Sequence, residues 1–346
     1  MADDFTDRLV KMSEAATCRA DIDNILAFAA KAGQTISYSN RLYVVSAIVF
    51  AAGAAFSTIV LPELLSLLVE VGNFYSPDIR PPDTMPPLVS MIIALTIPCI
   101  IVLSLWAVIQ ACIYFGRAIK HSMRVLNIGP LLLRLDIMLD NDLSYAPTPS
   151  FNELDQRYCE FARGNRDREI EYYVYGETTV QETKLCYHIY KFRYEIRIKG
   201  GVTSFYRYGL ILDGFTTQNI QIFSDSTQYR LPVNWTTESI EFNKQFKIHA
   251  TDEMTIAKFL QPTVILAIEN FSNSFKKVNI EVDDSHHLCI SFEDTDLLPV
   301  PTSRLIDLQN LTNSMKGKTK LPSLDQVLDF AHTLMASTDN NFAGKI

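Results

Sequence analysis

The chain has 346 residues and a formal net charge of −8 at pH 7, enough for one membrane unit and one sizeable soluble domain. Its acidic and basic residues are mixed, and no segment forms a basic field, so composition argues against nucleic acid as a partner. The six cysteines include no C-x-x-C pair. Their scatter favours isolated thiols in a reducing compartment over a disulfide framework or a zinc site.

The N-terminal segment, residues 1–41, has no cleavable secretory signal, because charged residues begin at its third position. An irregular apolar stripe after Asp3 and Asp4 predicts a cytoplasmic helix that one of them caps and that ends at Gly33. We expect this helix either to lie on the membrane surface or to dock on the later domain. Its largely acidic polar face argues against anionic lipid as its partner.

Two apolar runs without any charged residue or histidine follow, at Leu42–Leu61 and Pro87–Phe115. At about 1.5 Å per residue, the second run is long enough to cross a hydrocarbon core of about 30 Å. The pair predicts a transmembrane helical hairpin over residues 42–115, with spans at about 42–61 and 88–115. Pro98 is expected to kink the second span. The alternative is a pair of core helices in a large soluble protein.

Basic residues flank this hairpin on its outer ends, at Lys31, Arg41, Arg117, Lys120 and Arg124, whereas the connecting loop offers only Arg80. By the positive-inside rule, the protein is expected in the cell inner membrane with both termini in the cytoplasm. Small residues crowd the first span and allow close helix packing in lipid. They predict packing against the second span, or alternatively a contact between subunits of a homo-oligomer.

Residues 116–149 are predicted to form juxtamembrane helices and a linker. The helix of the second span should continue to a stop at Gly129-Pro130, and Leu131–Leu139 should form a further apolar helix before the linker YAPTPS. Ser150 and Glu153 then form an S-x-x-E capping box. They predict a helix that ends at Gly164.

The remaining chain, residues 150–346, predicts a cytoplasmic α+β domain with an antiparallel sheet. Alternating residues rich in Tyr, Ile and Val begin at Arg168, and Gly200-Gly201 supplies a hairpin turn. Strands are predicted at 168–176, 183–201, 202–214, 218–224 and 246–250, a closing hairpin at 278–294, and helices at 252–260, 262–275 and 323–337.

One segment of this domain carries the pattern F-x-K-x-F-x-V-x-A-x-D followed by a helix that ends L-x-P. The matching positions are Phe242, Lys244, Phe246, Ile248, Ala250, Asp252, Leu260 and Pro262, with Ile248 where Val is more usual. On these residues the chain resembles the bacterial membrane proteins grouped as domain of unknown function 3137. The resemblance implies two N-terminal spans ahead of a cytoplasmic domain. It implies no activity, and no catalytic or cofactor-binding residue.

Few residues of this domain are candidates for chemistry. Asp252 follows a strand and opens a helix, so it predicts a helix cap, with general acid-base work as the alternative. His249 is expected to be a surface or packed side chain. His286 and His287 are adjacent on a predicted strand edge and should point to opposite faces, which disfavours a shared metal site. We therefore assign no catalytic residue, cofactor or metal ligand.

A group of eight tyrosines lies in the predicted strands, at Tyr172, Tyr173, Tyr175, Tyr187, Tyr190, Tyr194, Tyr206 and Tyr208. Such residues pack a sheet face, or form a binding surface where they are exposed.

The sequence thus predicts an integral membrane protein whose cytoplasmic domain binds another protein or a ligand, or acts as a scaffold. The alternative is a membrane-tethered hydrolase. Its site would be an unrecognised one, because common nucleotide and hydrolase signatures are missing from the sequence. An oligomeric channel or transporter subunit is a weaker one, because neither span has an ionisable residue in its interior.

Overall fold

The computed structural model describes residues 2–55, 87–180, 182–225, 228–300 and 308–339, together with residues 59, 63 and 66. Two compact units make up the chain: Met1–Leu133 with Pro301–Lys316, and Arg134–Val300 with Gly317–Ile346. This division places the start of the second unit before the boundary at residue 150 that the sequence suggests. The connecting loop around Arg80 and the end of the first apolar run lie outside the described residues.

The helices are α1 (Ala2–Ala15), α2 (Arg19–Ala55), α3 (Pro87–Asp140), α4 (Phe151–Arg157), α5 (Ile240–Gln245), α6 (Glu253–Phe259), α7 (Pro262–Ser274), α8 (Leu308–Ser314) and α9 (Pro322–Asp339), with a 3-10 helix at Cys159–Ala162. Among the residues that the structure describes, no helix combines the length and the mean hydropathy that a membrane crossing requires.

In the first unit, α1 packs against α2, and Leu9 and Ile25 are buried. The predicted single helix to Gly33 is wrong: a break separates α1 from α2, and α2 runs on through Gly33. At the break, the Asp21 carboxylate accepts a hydrogen bond from the backbone N–H of Thr17 (2.9 Å). A glycine inside a helix costs only about 1 kcal/mol relative to alanine, so Gly33 alone cannot end α2.

The predicted stop at Gly129-Pro130 is also wrong, because α3 continues through both residues to Asp140. A proline inside a helix costs about 3 kcal/mol. Ile128, Leu132 and Met138 around it are all buried, and each such side chain contributes about 1.5–3 kcal/mol. The apolar burial therefore outweighs the cost of the proline.

The second unit is built on a nine-stranded antiparallel sheet, in the order β1-β2-β3-β4-β9-β8-β5-β7-β6, among the described residues. The strands are β1 (Ser144–Tyr145), β2 (Arg168–Val180), β3 (Thr183–Ile198), β4 (Gly201–Leu212), β5 (Ile220–Phe223), β6 (Val233–Trp235), β7 (Lys247–Ala250), β8 (Asn279–Val282) and β9 (Leu288–Phe292). The α+β class and the antiparallel sheet are thereby confirmed. The sequence reading missed β1, β6, α5 and α8.

The two faces of this sheet are covered differently. One face carries an apolar core against α7 and α9, with Ile222, Leu210 and Ile290 at its centre. The opposite face, which we call the polar face, carries Arg207, Gln221, Asn279, Glu281 and Ser291, all buried. Residues 151–162 cover the polar face through an aromatic cluster that includes Tyr158 and Phe161.

Most of the eight tyrosines in the predicted strands pack inside the protein. Of the eight tyrosines, five are buried: Tyr172, Tyr173, Tyr187, Tyr190 and Tyr194. Tyr190 lies across the sheet at Gly209, where a Cβ atom would overlap both the Tyr190 phenol and the Ile290 carbonyl oxygen. Glycine at this position thus makes room for the ring. The packing interpretation is confirmed for these five, while Tyr206 is exposed.

Candidate functional site

The alternation of β8 places polar side chains under residues 151–162, which we call the covering segment. Asn279 and Glu281 lie on β8 with Asp283 just beyond its end, at every second position, so they share one face of the strand, while Ile280 and Val282 enter the apolar core. All three polar side chains are buried. Buried charges are rare unless they are paired, which makes this cluster the candidate functional site.

Glu160 and Arg207 form the centre of the cluster. The Arg207 Nε donates to Glu160 Oε1 (2.5 Å), the Asn279 Nδ2 donates to Oε2 (2.8 Å), and the Arg163 Nε lies 3.0 Å from Oε1. Burial alone raises the pKa of Glu160, but the positive charges of Arg163 and Arg207 outweigh it and lower the pKa to about 2. Glu160 is therefore a carboxylate at neutral pH.

Arg207, on β4, also donates hydrogen bonds to β9 and to the residues just before β8. Its Nη2 donates to the Lys277 carbonyl oxygen (2.9 Å) and to the Ser291 hydroxyl (3.1 Å). Its buried Nη1 has no hydrogen-bond partner within the described part of the chain. Arg163 in turn makes a bidentate pair with Asp225, at 2.7 and 2.8 Å, a geometry that suits the planar guanidinium.

Glu281 caps the 3-10 helix from a distant strand. Its carboxylate accepts hydrogen bonds from the backbone N–H groups of Cys159 and Glu160, both at 2.8 Å. These donors have no partner inside the helix, and Tyr158 at the N-cap position supplies no side-chain bond. Burial and the charge of Glu160 raise the pKa of Glu281 to about 7, against the lowering effect of the Cys159 N–H.

Asp283 joins the end of α4 to the β8–β9 turn. It accepts from the Arg157 Nε and from the backbone N–H of His287, both at 2.8 Å, and from the N–H of Ser285 at 3.0 Å. Burial raises the pKa of Asp283, but the hydrogen bonds from His287 and Arg157 outweigh it and the pKa falls below its usual value.

His287 lies beside this carboxylate, at 3.1–3.2 Å from its oxygens. The Arg157 Nη2 is 2.5 Å from the same ring nitrogen, His287 Nδ1, and His287 Nε2 lies 3.7 Å from Asp213 Oδ1. His287 therefore lies between α4, which carries Arg157, and the residues that follow β4 and β8, and its contacts hold these segments together.

The residues singled out from the sequence lie elsewhere. Phe242, Phe246 and Leu260 are buried in the apolar core on the other face of the sheet, and Pro262 begins α7. Asp252 caps α6, as predicted: its carboxylate accepts from the Thr255 N–H (2.8 Å) and hydroxyl (2.7 Å). None of these residues contacts the buried charge cluster.

The histidines outside the cluster make local contacts. His249 is packed, as predicted, with its ring stacked on Tyr229 at 4.0 Å between centroids. His286 and His287 lie in the β8–β9 turn and not on a strand, and the exposed His286 has a left-handed backbone with φ of 62°. In the part of the chain that the structure describes, no group of three or more His, Cys, Asp or Glu residues is arranged to hold a metal ion.

The role of Asp252 can be tested by comparing two substitutions. Asp252→Ala should lower the melting temperature of the full chain by a few degrees, because the Thr255 N–H loses its acceptor. Asp252→Asn should change it little, because asparagine also caps helices. The melt is followed by the fluorescence of Trp235 in a Trp106→Phe background. A loss of biological function in Asp252→Asn at unchanged melting temperature would reassign Asp252 as a functional residue.

The chain was compared with protein-family models, with curated proteins and with solved structures, and none of the three comparisons gave a match.

Chemically, the cluster holds its segments together. The oxygens of Glu160, Glu281 and Asp283 each accept bonds from inside the protein. Carboxylates that are hydrogen-bonded in this way fix the position of the covering segment. Removal of that segment would leave several buried charges without partners.

Proposed function

We propose that the chain is a membrane-anchored protein of the inner membrane, in which residues 42–115 form a transmembrane hairpin and the α+β unit binds another protein in the cytoplasm. The two uncharged runs, each about the length of a span, are the basis of the anchor. The resemblance to the two-span family of domain of unknown function 3137 gives the same layout.

Uncovered apolar side chains on α2 and α3 carry this proposal. Large apolar residues of both helices are between 39% and 65% exposed, namely Val44, Val45, Ile48, Val49, Val102, Leu105, Trp106, Val108, Ile109, Ile113 and Phe115. Soluble proteins rarely leave so continuous an apolar patch in water. Lipid around these side chains would account for their exposure.

Contacts between α2 and α3 support a hairpin. The Phe50 ring stacks on Tyr114 with 5.4 Å between centroids and meets Trp106 edge-on at 5.8 Å. Ala47 and Ala54 are buried, which fits small residues that let two helices approach in lipid. These contacts favour packing within one chain over a contact between subunits.

The topology is tested by cysteine labelling of the full chain in intact cells, with an impermeant reagent that crosses only the outer membrane. Asp78→Cys in the connecting loop should be labelled, because that loop carries a single basic residue. Glu241→Cys, an exposed position of α5, should be labelled only after the cells are lysed. Native exposed cysteines are controlled with the parent chain. Labelling of Glu241→Cys but not of Asp78→Cys in intact cells would overturn the topology.

A groove between α7 and α9 supports protein binding by the α+β unit. It has a volume of about 580 Å³ and an apolar floor that includes Ala267, Phe271 and Phe330, with Asn270 and Asp329 among its polar residues. Grooves of this kind accept the apolar face of a helical segment. Cross-linking from native membranes should yield a partner that Ala267→Arg loses; an unchanged cross-linked product would exclude the groove.

A further inference from the structure

We infer that the tip of the β3–β4 hairpin, residues 197–203, inserts into the anionic surface of a lipid bilayer and gives the α+β unit a second membrane contact. This inference rests on the proposed membrane anchoring. We call residues 197–203 the hairpin tip.

The hairpin tip extends beyond the rest of the sheet. The pairing of β2 with β3 reaches only to Tyr194, and the pairing of β9 with β4 reaches only to Tyr208. Beyond these residues, no other strand of the described chain pairs with β3 or β4, and residues 165–167 bond the outer edge of β3 only as far as Arg197. Lys199 and Gly200 form a two-residue turn, in which Gly200 has φ of 118°. The tip is therefore a narrow convex projection.

The base of this projection is held firmly. The Arg197 N–H donates to Asn165 Oδ1 (2.8 Å), and the Asn165 N–H donates to the Glu195 carbonyl oxygen (3.1 Å). Ser204 at the other strand donates to Glu195 Oε1 (3.4 Å). A fixed base presents the tip without the entropic cost of ordering it on contact.

The hairpin tip is positively charged in an acidic protein. From Ile196 to Arg207 the sequence contains no acidic residue. Arg197 and Lys199 are exposed and have no ion-pair partner within the described chain, whereas Arg193 and Arg207 are neutralised by Glu169 and Glu160. Two free cations thus lie at the point of the projection.

Apolar side chains accompany these cations on both faces. Ile198 is 63% exposed, and Val202, which lies opposite Arg197 in the register, is 41% exposed. Tyr206 lies on the same face as Val202, about 13 Å further along the strand, and is also exposed. Cations and apolar side chains thus lie together at the tip, with a tyrosine behind them, a combination that suits the interface of a bilayer.

The shape selects a bilayer over an acidic protein as the occupant. A protein partner would have to enclose a convex point on both faces, whereas a headgroup layer closes around any small projection. Juxtamembrane cations are attracted by the anionic lipids of the cytoplasmic leaflet, which is the side proposed for this unit. The proposed transmembrane hairpin, residues 42–115, tethers the α+β unit and keeps the tip at a high effective concentration near that surface.

The test uses the full chain with a photo-crosslinking amino acid at Val202. The protein is reconstituted in nanodiscs of phosphatidylcholine, either alone or with about 30% phosphatidylglycerol, and lipid adducts of the tip peptide are measured by mass spectrometry. The same amino acid at Tyr229, an exposed position outside the hairpin, is the matched control. Adducts should form at Val202 but not at Tyr229, and should increase with the anionic lipid.

Substitutions at the tip refine this test. Arg197→Gln with Lys199→Gln should lower the adduct yield about tenfold or more in the anionic nanodiscs, since each cation contributes about fivefold. Ile198→Ser should lower it as well, through loss of apolar insertion. All three positions are exposed, so the fold is expected to stay intact, and the unchanged fluorescence of Trp235 verifies it.

The outcomes separate this inference from the anchoring proposal. Incorporation into nanodiscs is measured first, and its failure would reject the anchor. If incorporation fails, the crosslinking is done with added vesicles of the same lipids. The tip must then still give adducts with the anionic lipid. A chain that incorporates but gives no lipid adduct at Val202 overturns the inference and leaves the anchor. Crosslinking of Val202 to a protein in native membranes, without lipid adducts, overturns it in favour of a protein partner.

Discussion

Replacing Arg207 with methionine is expected to lower the free energy of unfolding of the full chain by about 3–5 kcal/mol, the usual cost of removing one partner of a buried ion pair. Glu160 would keep Arg163 and the Asn279 amide but lose the cation that reaches both of its oxygens. The Lys277 carbonyl oxygen and the Ser291 hydroxyl would lose a donor too. Urea denaturation followed by Trp235 fluorescence, in a Trp106→Phe background, measures the change.

Two matched variants make this result specific. Lys244→Ala removes a cation from the exposed pair with Glu241 and should change the free energy of unfolding by less than about 1 kcal/mol. Glu160→Leu combined with Arg207→Met removes both charges and should recover much of the loss, because no ion is then left without its partner. If Arg207→Met is no more costly than Lys244→Ala, the pair does not hold the covering segment.

The sequence predicted the sheet well where local pattern and tertiary environment agree. The alternation of β3 and β4 and the turn glycine Gly200 predict their hairpin. A local capping rule predicts the role of Asp252 at the start of α6. Such features depend on neighbours within a few residues of the chain.

Helix ends were predicted poorly for the opposite reason. Gly33 and Pro130 are local breakers, and each is overridden by contacts that the sequence pattern does not weigh. Their costs of about 1 and 3 kcal/mol are smaller than the gain from burying several apolar side chains on the same helix.

The buried charge cluster lay outside what sequence reasoning could find. The alternation of Asn279, Glu281 and Asp283 with Ile280 and Val282 was visible, but such a pattern ordinarily indicates a strand with one solvated face. The segment that covers this face lies about 120 residues earlier in the chain. One signal was available: Glu160 is the one charged residue in the short run 158–162, YCEFA.

The stability of the protein should depend on pH through Glu281 in a direction opposite to that of most acids. Its folded-state pKa is about 7, raised from an ordinary value of 4.5. The folded state therefore binds this proton more tightly than the unfolded chain does. The stabilisation linked to it is fully present below about pH 4.5 and is lost as the pH rises through about 7. Glu160, with its pKa lowered to about 2, acts in the other direction and loses its contribution only as the pH falls below 4.5.

Glu281→Gln isolates this effect, because glutamine is close to the protonated acid in shape and does not titrate. The difference in the free energy of unfolding between the parent chain and Glu281→Gln should shift against the parent by about 2–3 kcal/mol from pH 4.5 to 8, as a shift of one pKa unit corresponds to about 1.4 kcal/mol. Other acids titrate equally in both chains and cancel. Parallel stability curves would show that the pKa of Glu281 is not raised.

Glu281→Ala tests the capping role separately from the titration. Without the carboxylate, the N–H groups of Cys159 and Glu160 are left buried and without an acceptor, at about 1–3 kcal/mol each. We therefore expect a loss of about 2–4 kcal/mol at pH 5, where the parent side chain is mostly protonated and no buried charge is relieved by its removal. Above pH 7 the loss should be smaller, because alanine also removes a carboxylate that burial and Glu160 disfavour. A loss that grows with pH would mean that the two N–H groups stabilise the charged form by more than burial opposes it.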